Sequence, residues 1–501
     1  MRLPFRSASS SSSSWKPAEF RPFPSKEATR PLIRVIPPEA APADPPRHQP
    51  GGNRVASKSS TAPRRAIVIG ASTTGLIAAA ALARHFAHVM VLERDTLPEE
   101  PEWRKGVPQS RHVHLLLRCG EEIISHYFPG LTDELVAAGG RRVDMAGDTR
   151  WFYAGGWKAR FQSGITMHCQ SKGFLEWAIR RRVESLGNVT IRDRAEIDTF
   201  TTAPGSVTGV RLKDGEEIAA DLVVDASGRN SKTPQRLAAL GFGTVEISEL
   251  PVDVGYATRA YRMPRGARDW QSLIVHPRYP DARIGVIIPV EGDRWLVTLV
   301  GWRGDQPPAD DEGFLEFARG LSVPDIYEAI RDAEPLTQAG LHRFPGNLRR
   351  HYDRLATMPD GLVVIGDAAC SFNPIYAQGM TQGATAARIL DDCLERRAKH
   401  GNSGLAGFGP VFQREYAKFA NRCWLISTTE EYRDPLVAPH PPLWTRLANW
   451  YLEQVHELSW SDRRAAKSFL EVMHLLRPPA SLLSPGLATR VLAHSLFARA
   501  H

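Results

Sequence analysis

The stretch that most constrains the fold is residues 66–95, AIVIGASTTGLIAAAALARHFAHVMVLERD. Residues 66–69 are a short apolar run suited to a buried strand. Gly70 and Gly75 bracket a turn, residues 76–86 have the Ala and Leu content of a packed helix, and residues 89–92 form a second strand ending on Glu93. Strand, tight turn, helix, strand and acid in this order make the dinucleotide-binding βαβ pattern, in which backbone N–H groups and a helix N-terminus face a diphosphate. Glu93 stands where an acid accepts from a ribose hydroxyl. The middle glycine of the usual G-x-G-x-x-G is Ser72.

Two later stretches repeat the strand-then-loop logic. Residues 222–224 read as a buried strand running into DASGRNS at 225–231, which puts Asp225, Ser227 and Gly228 at a strand end, where α/β sheets bind ligands. Residues 361–390, GLVVIGDAACSFNPIYAQGMTQGATAARIL, run as strand, Gly366-Asp367, loop and a helix opening at Gly379. A glycine there lets a ligand approach the backbone, Asp367 can accept from a sugar hydroxyl, and the helix dipole faces an electron-rich atom.

Between them, over 252–301, the period changes to two: VDVGYATRAYR, RIGVIIPV and RWLVTLVGW read as strands of a mainly antiparallel sheet, carrying Tyr256, Tyr261, Trp295 and Trp302. Residues 150–160 read as a hairpin turning at Gly155-Gly156, and Lys213-Asp214-Gly215 as a second turn. From 405 onward the chain is helical, with Phe412, Tyr416, Phe419 and Trp424 at core spacing. The expected organisation is a Ser/Pro-rich disordered leader over 1–62, a dinucleotide-binding βαβ segment over 63–150, a mixed segment returning to that domain over 151–250, a substrate-side sheet over 251–345, the Gly-Asp segment over 346–400 and a helical region over 401–501. The fold class is therefore α/β: a Rossmann-like domain with an inserted antiparallel sheet and a helical C-terminal region.

Charge narrows the partners. Residues 1–62 carry +6 of the formal +8, so the rest is near neutral and gives no reason to expect nucleic acid. Five scattered cysteines without a C-x-x-C pair argue against a disulfide framework and a metal site, and fit the cytoplasm. No apolar run is long enough to span a membrane. A short basic amphipathic helix over 487–499 allows peripheral contact with one. The chain has neither G-x-S-x-G nor H-E-x-x-H, so a serine or zinc hydrolase gains no support.

GASTTG with Glu93-Arg94, LVVDASGR, and VVIGDAACSFNPIYAQGM occur in one order. The chain resembles the FAD-dependent monooxygenases of the aromatic-hydroxylase fold, the group that includes polyprenyl-methoxyphenol hydroxylases. The loop RKGVPQSRHVHLL (104–116) and the ending FNPIYAQGM resemble most closely the bacterial polyether polyketide epoxidases of secondary metabolism. The resemblance implies that Gly70, Ser72 and Gly75 line the FAD diphosphate turn, with Glu93 and Arg94 at the adenosine ribose. It implies that Lys172 replaces the arginine of the helix motif R-x-x-L, that Arg111 approaches the flavin, that Asp367 binds the ribityl chain or diphosphate, and that Pro374, Gly379 and Met380 lie beside the isoalloxazine.

The implied chemistry is transfer of one oxygen atom from a flavin C4a-hydroperoxide to a small hydrophobic substrate. Epoxidation of an alkene or polyene comes first, with aromatic hydroxylation, prenyl or alkene reduction, and a non-catalytic flavin protein as alternatives. No catalytic side chain is required, although Arg111 is a candidate. Asp225-Ala226 replaces the Asp-Gly of the aromatic hydroxylases, which leaves the NAD(P)H donor acting either directly or through a flavin reductase.

Overall fold

The computed structural model describes residues 34–36, 64–104, 106–401 and 404–498. Its centre is a five-stranded parallel sheet in the order Leu362–Val364, Leu222–Asp225, Arg65–Ile69, His88–Leu92, Val189–Arg192. All three motifs leave this sheet from the ends of adjacent strands, so stretches nearly 300 residues apart converge on one edge. Helix Thr73–Ala83 is buried along most of its length, packed against helices Lys172–Glu184 and Gly379–Lys399. Its run of alanines suits a helix covered on several sides.

The second layer is a larger sheet, in the order Cys370–Ser371, Gly340–Arg350, Ile247–Arg262, Arg294–Trp302, Ile284–Val290, Ser272–His276, Thr149–Tyr153, Gly156–Trp157. All pairs are antiparallel except Ser272–His276 with Thr149–Tyr153. The period-two reading over 252–301 found its central strands. The hairpin near 150–157 extends this same sheet, and Gly340–Arg350 runs through the expected boundary at 345.

Alternation gives the large sheet two faces. Ala257, Leu273, Val275, Trp295, Val297 and Leu299 pack beneath helices Asp311–Arg319 and Asp325–Ile330. On the other face Trp151, Ile274 and Ile288 meet Leu470 of the C-terminal helices. Phe412 and Tyr416 are core, while Phe419 and Trp424 are half-buried against it. The segment expected to be a basic amphipathic helix lies within Pro485–Ala498, where Leu487 and Val491 pack onto helix Leu443–Leu458 and its neighbours.

The leader reading needs one correction. Most of 1–62 lies outside the described residues, but Arg34–Ile36 forms a strand paired antiparallel with residues 247–249. Two β-branched residues among the prolines suit a strand, and this end of Ile247–Arg262 extends past its pairing with Arg294–Trp302, leaving an edge to be covered. No helix among the described residues is long and apolar enough to cross a membrane.

Candidate active site

At the first motif, backbone approaches backbone so closely that both glycines are required. Gly70 has φ +103°, and a Cβ there would stand 2.7 Å from the Ala226 carbonyl oxygen. A Cβ on Gly75 would stand 1.8 Å from the Gly70 oxygen. The turn is thus wedged between its own helix and the DASGR loop. Helix Thr73–Ala83 begins at Ser72 with no side-chain cap and no acid in its first turn, and Thr73 Oγ1 is buried without a partner. That leaves the positive helix end open to an anion.

Around this turn lies a buried charged network that the sequence did not reveal. Ser72 Oγ donates to Glu176 Oε2 at 2.5 Å, and Lys172 Nζ reaches Ser72 Oγ at 3.3 Å and Glu176 at 3.2 Å. Arg104 pairs with Glu176 at 3.1 Å, Glu93 at 2.7 Å and Asp95 at 3.2 Å. Burial opposes ionisation of Glu176, but Lys172 and Arg104 outweigh it and hold its carboxyl at about 2. Glu93 also accepts from the Ala71 N–H at 2.9 Å and the Asp95 N–H at 3.1 Å, which fixes it against the turn.

The Arg94 side chain is half exposed and stands 3.9 Å from Asp95, while Arg104 pairs with Glu93. Arg111 is likewise exposed, its guanidinium 3.3 Å from the centroid of the Trp103 ring, which gives it a cation–π partner outside the motif cluster. Asp225 proves to be a loop clamp. It is 1% exposed and accepts from Ser231 Oγ, Thr233 Oγ1 and the Ser227 N–H at 2.5, 2.6 and 2.9 Å.

At the third motif Gly366 has φ +62° and lies against Thr74 of the first helix, and a Cβ on Gly383 would stand 2.0 Å from Thr74 Oγ1. These contacts lock the Gly-Asp turn to the dinucleotide motif. Asp367 stands 3.8 Å from where a Gly379 Cβ would be, and no donor among the described residues reaches it. Burial raises its pKa, against the pull of Arg229, Lys172 and Arg350. Helix Gly379–Lys399 also begins without a side-chain cap, and the Gln378 Oε1 atom beside it is buried and unpartnered. Pro374 and Gly379 are exposed, while Met380 is buried at the helix start.

Asn373 holds this loop. Its amide donates to Glu431 at 2.8 Å, its oxygen accepts from Tyr256 at 2.5 Å, and its N–H reaches Asn347 at 2.7 Å. Burial pushes Glu431 up to about 7.

This geometry agrees with what the chain is similar to. The family described as "FAD binding domain" matches residues 64–399. The chain belongs to that family. Protein Rv3254 of Mycobacterium tuberculosis is 31% identical over 450 residues, covering 86% of this chain and 94% of that protein. A flavoprotein/dehydrogenase from Cytophaga hutchinsonii superposes with a TM-score of 0.63 at 14% identity, covering 87% of this chain and 99% of its own. PqsL of Pseudomonas aeruginosa, described as a probable FAD-dependent monooxygenase, gives 0.55 at 18% identity, covering 74% and 97%. The fold is thus that of FAD-dependent monooxygenases and related flavoproteins.

The residues of this family member fit FAD on the structure's own terms. Two uncapped helix N-termini and a carboxylate without a donor mark places for an anion, a hydroxyl-bearing chain and an electron-rich ring. Beyond the Pro374–Tyr376 turn, the face of the large sheet that meets the C-terminal helices supplies an apolar wall. Val286 and Leu296 sit mid-strand yet stay only half-buried, as do Val113, Leu115, Phe469 and Met473 opposite them. These half-buried apolar side chains gather on one face of the sheet.

Proposed function

We propose that this chain is an FAD-dependent monooxygenase that inserts one oxygen atom from O₂ into a largely apolar organic substrate lying against the large sheet, by epoxidation of an alkene. The supporting observation is the half-buried apolar wall of Val113, Leu115, Val286, Leu296, Phe469 and Met473, which reaches Ile375 of the Asn373-anchored loop through Val286 and which we take to line the substrate cavity. Bound FAD would supply the activation of O₂. The N-terminus of helix Thr73–Ala83 would face its diphosphate, Glu93 the ribose and Asp367 the ribityl hydroxyls, with Lys172 as nearby positive charge. Pro374, Gly379 and Met380 would flank the ring, with Ser72 and Gly70 at the turn. Arg111 would have to leave Trp103 to approach it. The apolar wall excludes water, and Asn373, held by Tyr256, Asn347 and Glu431, keeps the loop in register with the substrate.

Hydroxylation of an aromatic ring is the second reading, favoured by Tyr153, His276, His456 and Phe469 grouped at one end of this cavity. PqsL is described as a probable FAD-dependent monooxygenase and the Cytophaga protein as a flavoprotein/dehydrogenase. We assign the electrons to NAD(P)H through a separate reductase, because Asp225 is committed to its own loop. Five free cysteines suit work in the cytoplasm. The test is reduction of the FAD-loaded protein followed by isotopically labelled O₂, with polyenes and phenols, with and without an added reductase. Label in an epoxide supports the first reading and label in a phenol the second. Saturated, unlabelled product overturns both in favour of reduction.

A further inference from the structure

At the hairpin end of the proposed cavity, over residues 149–158, a buried ammonium stands without a counter-charge beside an unpaired donor. Lys158 is 8% exposed, and its ammonium donates to Ser459 Oγ at 2.6 Å and His456 Nδ1 at 3.2 Å. Ser459 in turn donates to the His456 carbonyl, so its hydroxyl is an acceptor for the lysine. The rings of Phe469, Tyr153 and Trp151 surround the ammonium at 4.6, 5.1 and 5.7 Å to their centroids. Among the described residues no carboxylate pairs with Lys158. Acids of the neighbouring helices are committed elsewhere: Glu430 pairs with Arg433 at 2.9 Å, Glu431 holds Asn373, and Glu457 pairs with Arg278.

The neighbours add donors. Trp151 is 7% exposed, and its indole N–H is buried with no partner. Among the described residues nothing hydrogen-bonds the Tyr153 hydroxyl. Its ring is stacked between His276 at 4.4 Å and His456 at 4.0 Å. With Nδ1 accepting from Lys158, the His456 proton sits on Nε2, which is a further donor. Trp151 and Tyr153 alternate on one strand, so both face the cavity side of the sheet.

A buried ammonium without a counter-charge is strongly disfavoured unless something anionic joins it. A strut between the hairpin and helix Leu443–Leu458 would not explain the orphaned indole beside it. We propose that this cluster is the subsite for an acidic head group of the substrate, a carboxylate or phenolate received by Lys158, Trp151 and Tyr153, with the apolar body running along Val286 and Leu296 towards the Asn373 loop. The inference rests on the cavity's being the substrate site. It gives the substrate a polarity, with the acid at the hairpin end and the reacting carbons at the loop end. Burial brings Lys158 down to about 7, which marks how strongly the site calls for a partner charge.

The test is binding to the FAD-loaded protein at neutral pH of naphthoate, naphthol and methyl naphthoate, read by tryptophan fluorescence and by perturbation of the flavin spectrum. Naphthoate is expected to bind about tenfold or more tighter than its ester, the difference a charge-assisted hydrogen bond makes. Lys158→Met should remove that difference while changing ester affinity little. Trp151→Phe, which removes the N–H together with part of the ring, should weaken naphthoate several-fold more than the ester. Naphthol binding as tightly as naphthoate, and losing as much in Lys158→Met, would assign the subsite to phenolates. Equal binding of acid and ester, equal losses for both in Lys158→Met, or no binding of either acid overturns the proposal. Because binding is read without turnover, a failed oxygen-transfer experiment leaves this result independent.

Discussion

Gly75→Ala puts the motif to a quantitative test. The added Cβ would meet the Gly70 carbonyl oxygen at 1.8 Å, whereas ordinary van der Waals contact begins near 3.4 Å, so the helix start and the turn must separate by about 1.6 Å. Gly70 cannot yield freely, because its own N–H is tied to the Leu92 carbonyl at 2.8 Å and it lies against Ala226. A displacement of that size stretches a hydrogen bond of about 2.9 Å to about 4.5 Å, beyond any useful strength. The helix N–H groups would therefore miss the diphosphate. Overpacking of this kind costs up to about 3 kcal/mol, and if that cost falls on FAD binding it is roughly a hundredfold in affinity. The assay is an FAD titration followed by flavin fluorescence, with circular dichroism and thermal melting of the FAD-free protein as controls for folding. Wild-type FAD affinity in a folded Gly75→Ala protein would refute the reasoning.

Two further perturbations separate the other parts of the site. Asp367→Ala should lower FAD affinity by about tenfold, through loss of a hydrogen bond to a charged acceptor, with little change in the melting temperature of the FAD-free protein. Unchanged affinity would return Asp367 to a purely local role. Glu431→Gln tests the buried acid that holds Asn373. Its folded pKa of about 7 lies above the ordinary carboxylate value, so the folded protein binds the proton more tightly. The stability gained from that proton is present below about pH 4.5 and is lost as pH rises through about 7. The glutamine should therefore melt higher than wild type at pH 8, by the equivalent of about 2–3 kcal/mol, and no higher at pH 5. A variant destabilised equally at both values would show that the charged form is the one the loop requires.

The sequence exposed parts of the site whose chemistry is local and hid parts assembled across the chain. Gly70, Gly75, Gly366 and Asp367 were legible because a turn forced by backbone approach leaves its glycines at fixed spacing. Arg104 was hidden because its partners Glu93 and Glu176 lie on another strand and another helix, and nothing local distinguishes it from Arg94 or Arg111. Glu176 left a trace in its i,i+4 spacing from Lys172, which reads equally well as a surface pair. Lys158 and His456 meet only through tertiary packing, 298 residues apart. The period-two segment disclosed the sheet's centre, but the edge additions Arg34–Ile36 and Thr149–Tyr153 depend on which edges the fold leaves open. Asp225 was misleading for a physical reason: a carboxylate at a strand end serves a ligand or its own loop, and three short hydrogen bonds decide for the loop.

The most direct measurement is a structure of the chain with FAD bound. The account predicts the diphosphate on the N-terminus of helix Thr73–Ala83, the ribityl chain beside Asp367, and the isoalloxazine against Pro374–Tyr376 with its reacting edge towards Val286 and Leu296. A flavin bound with its ring turned away from that wall, or with Asp367 remote from the ribityl chain, would contradict it.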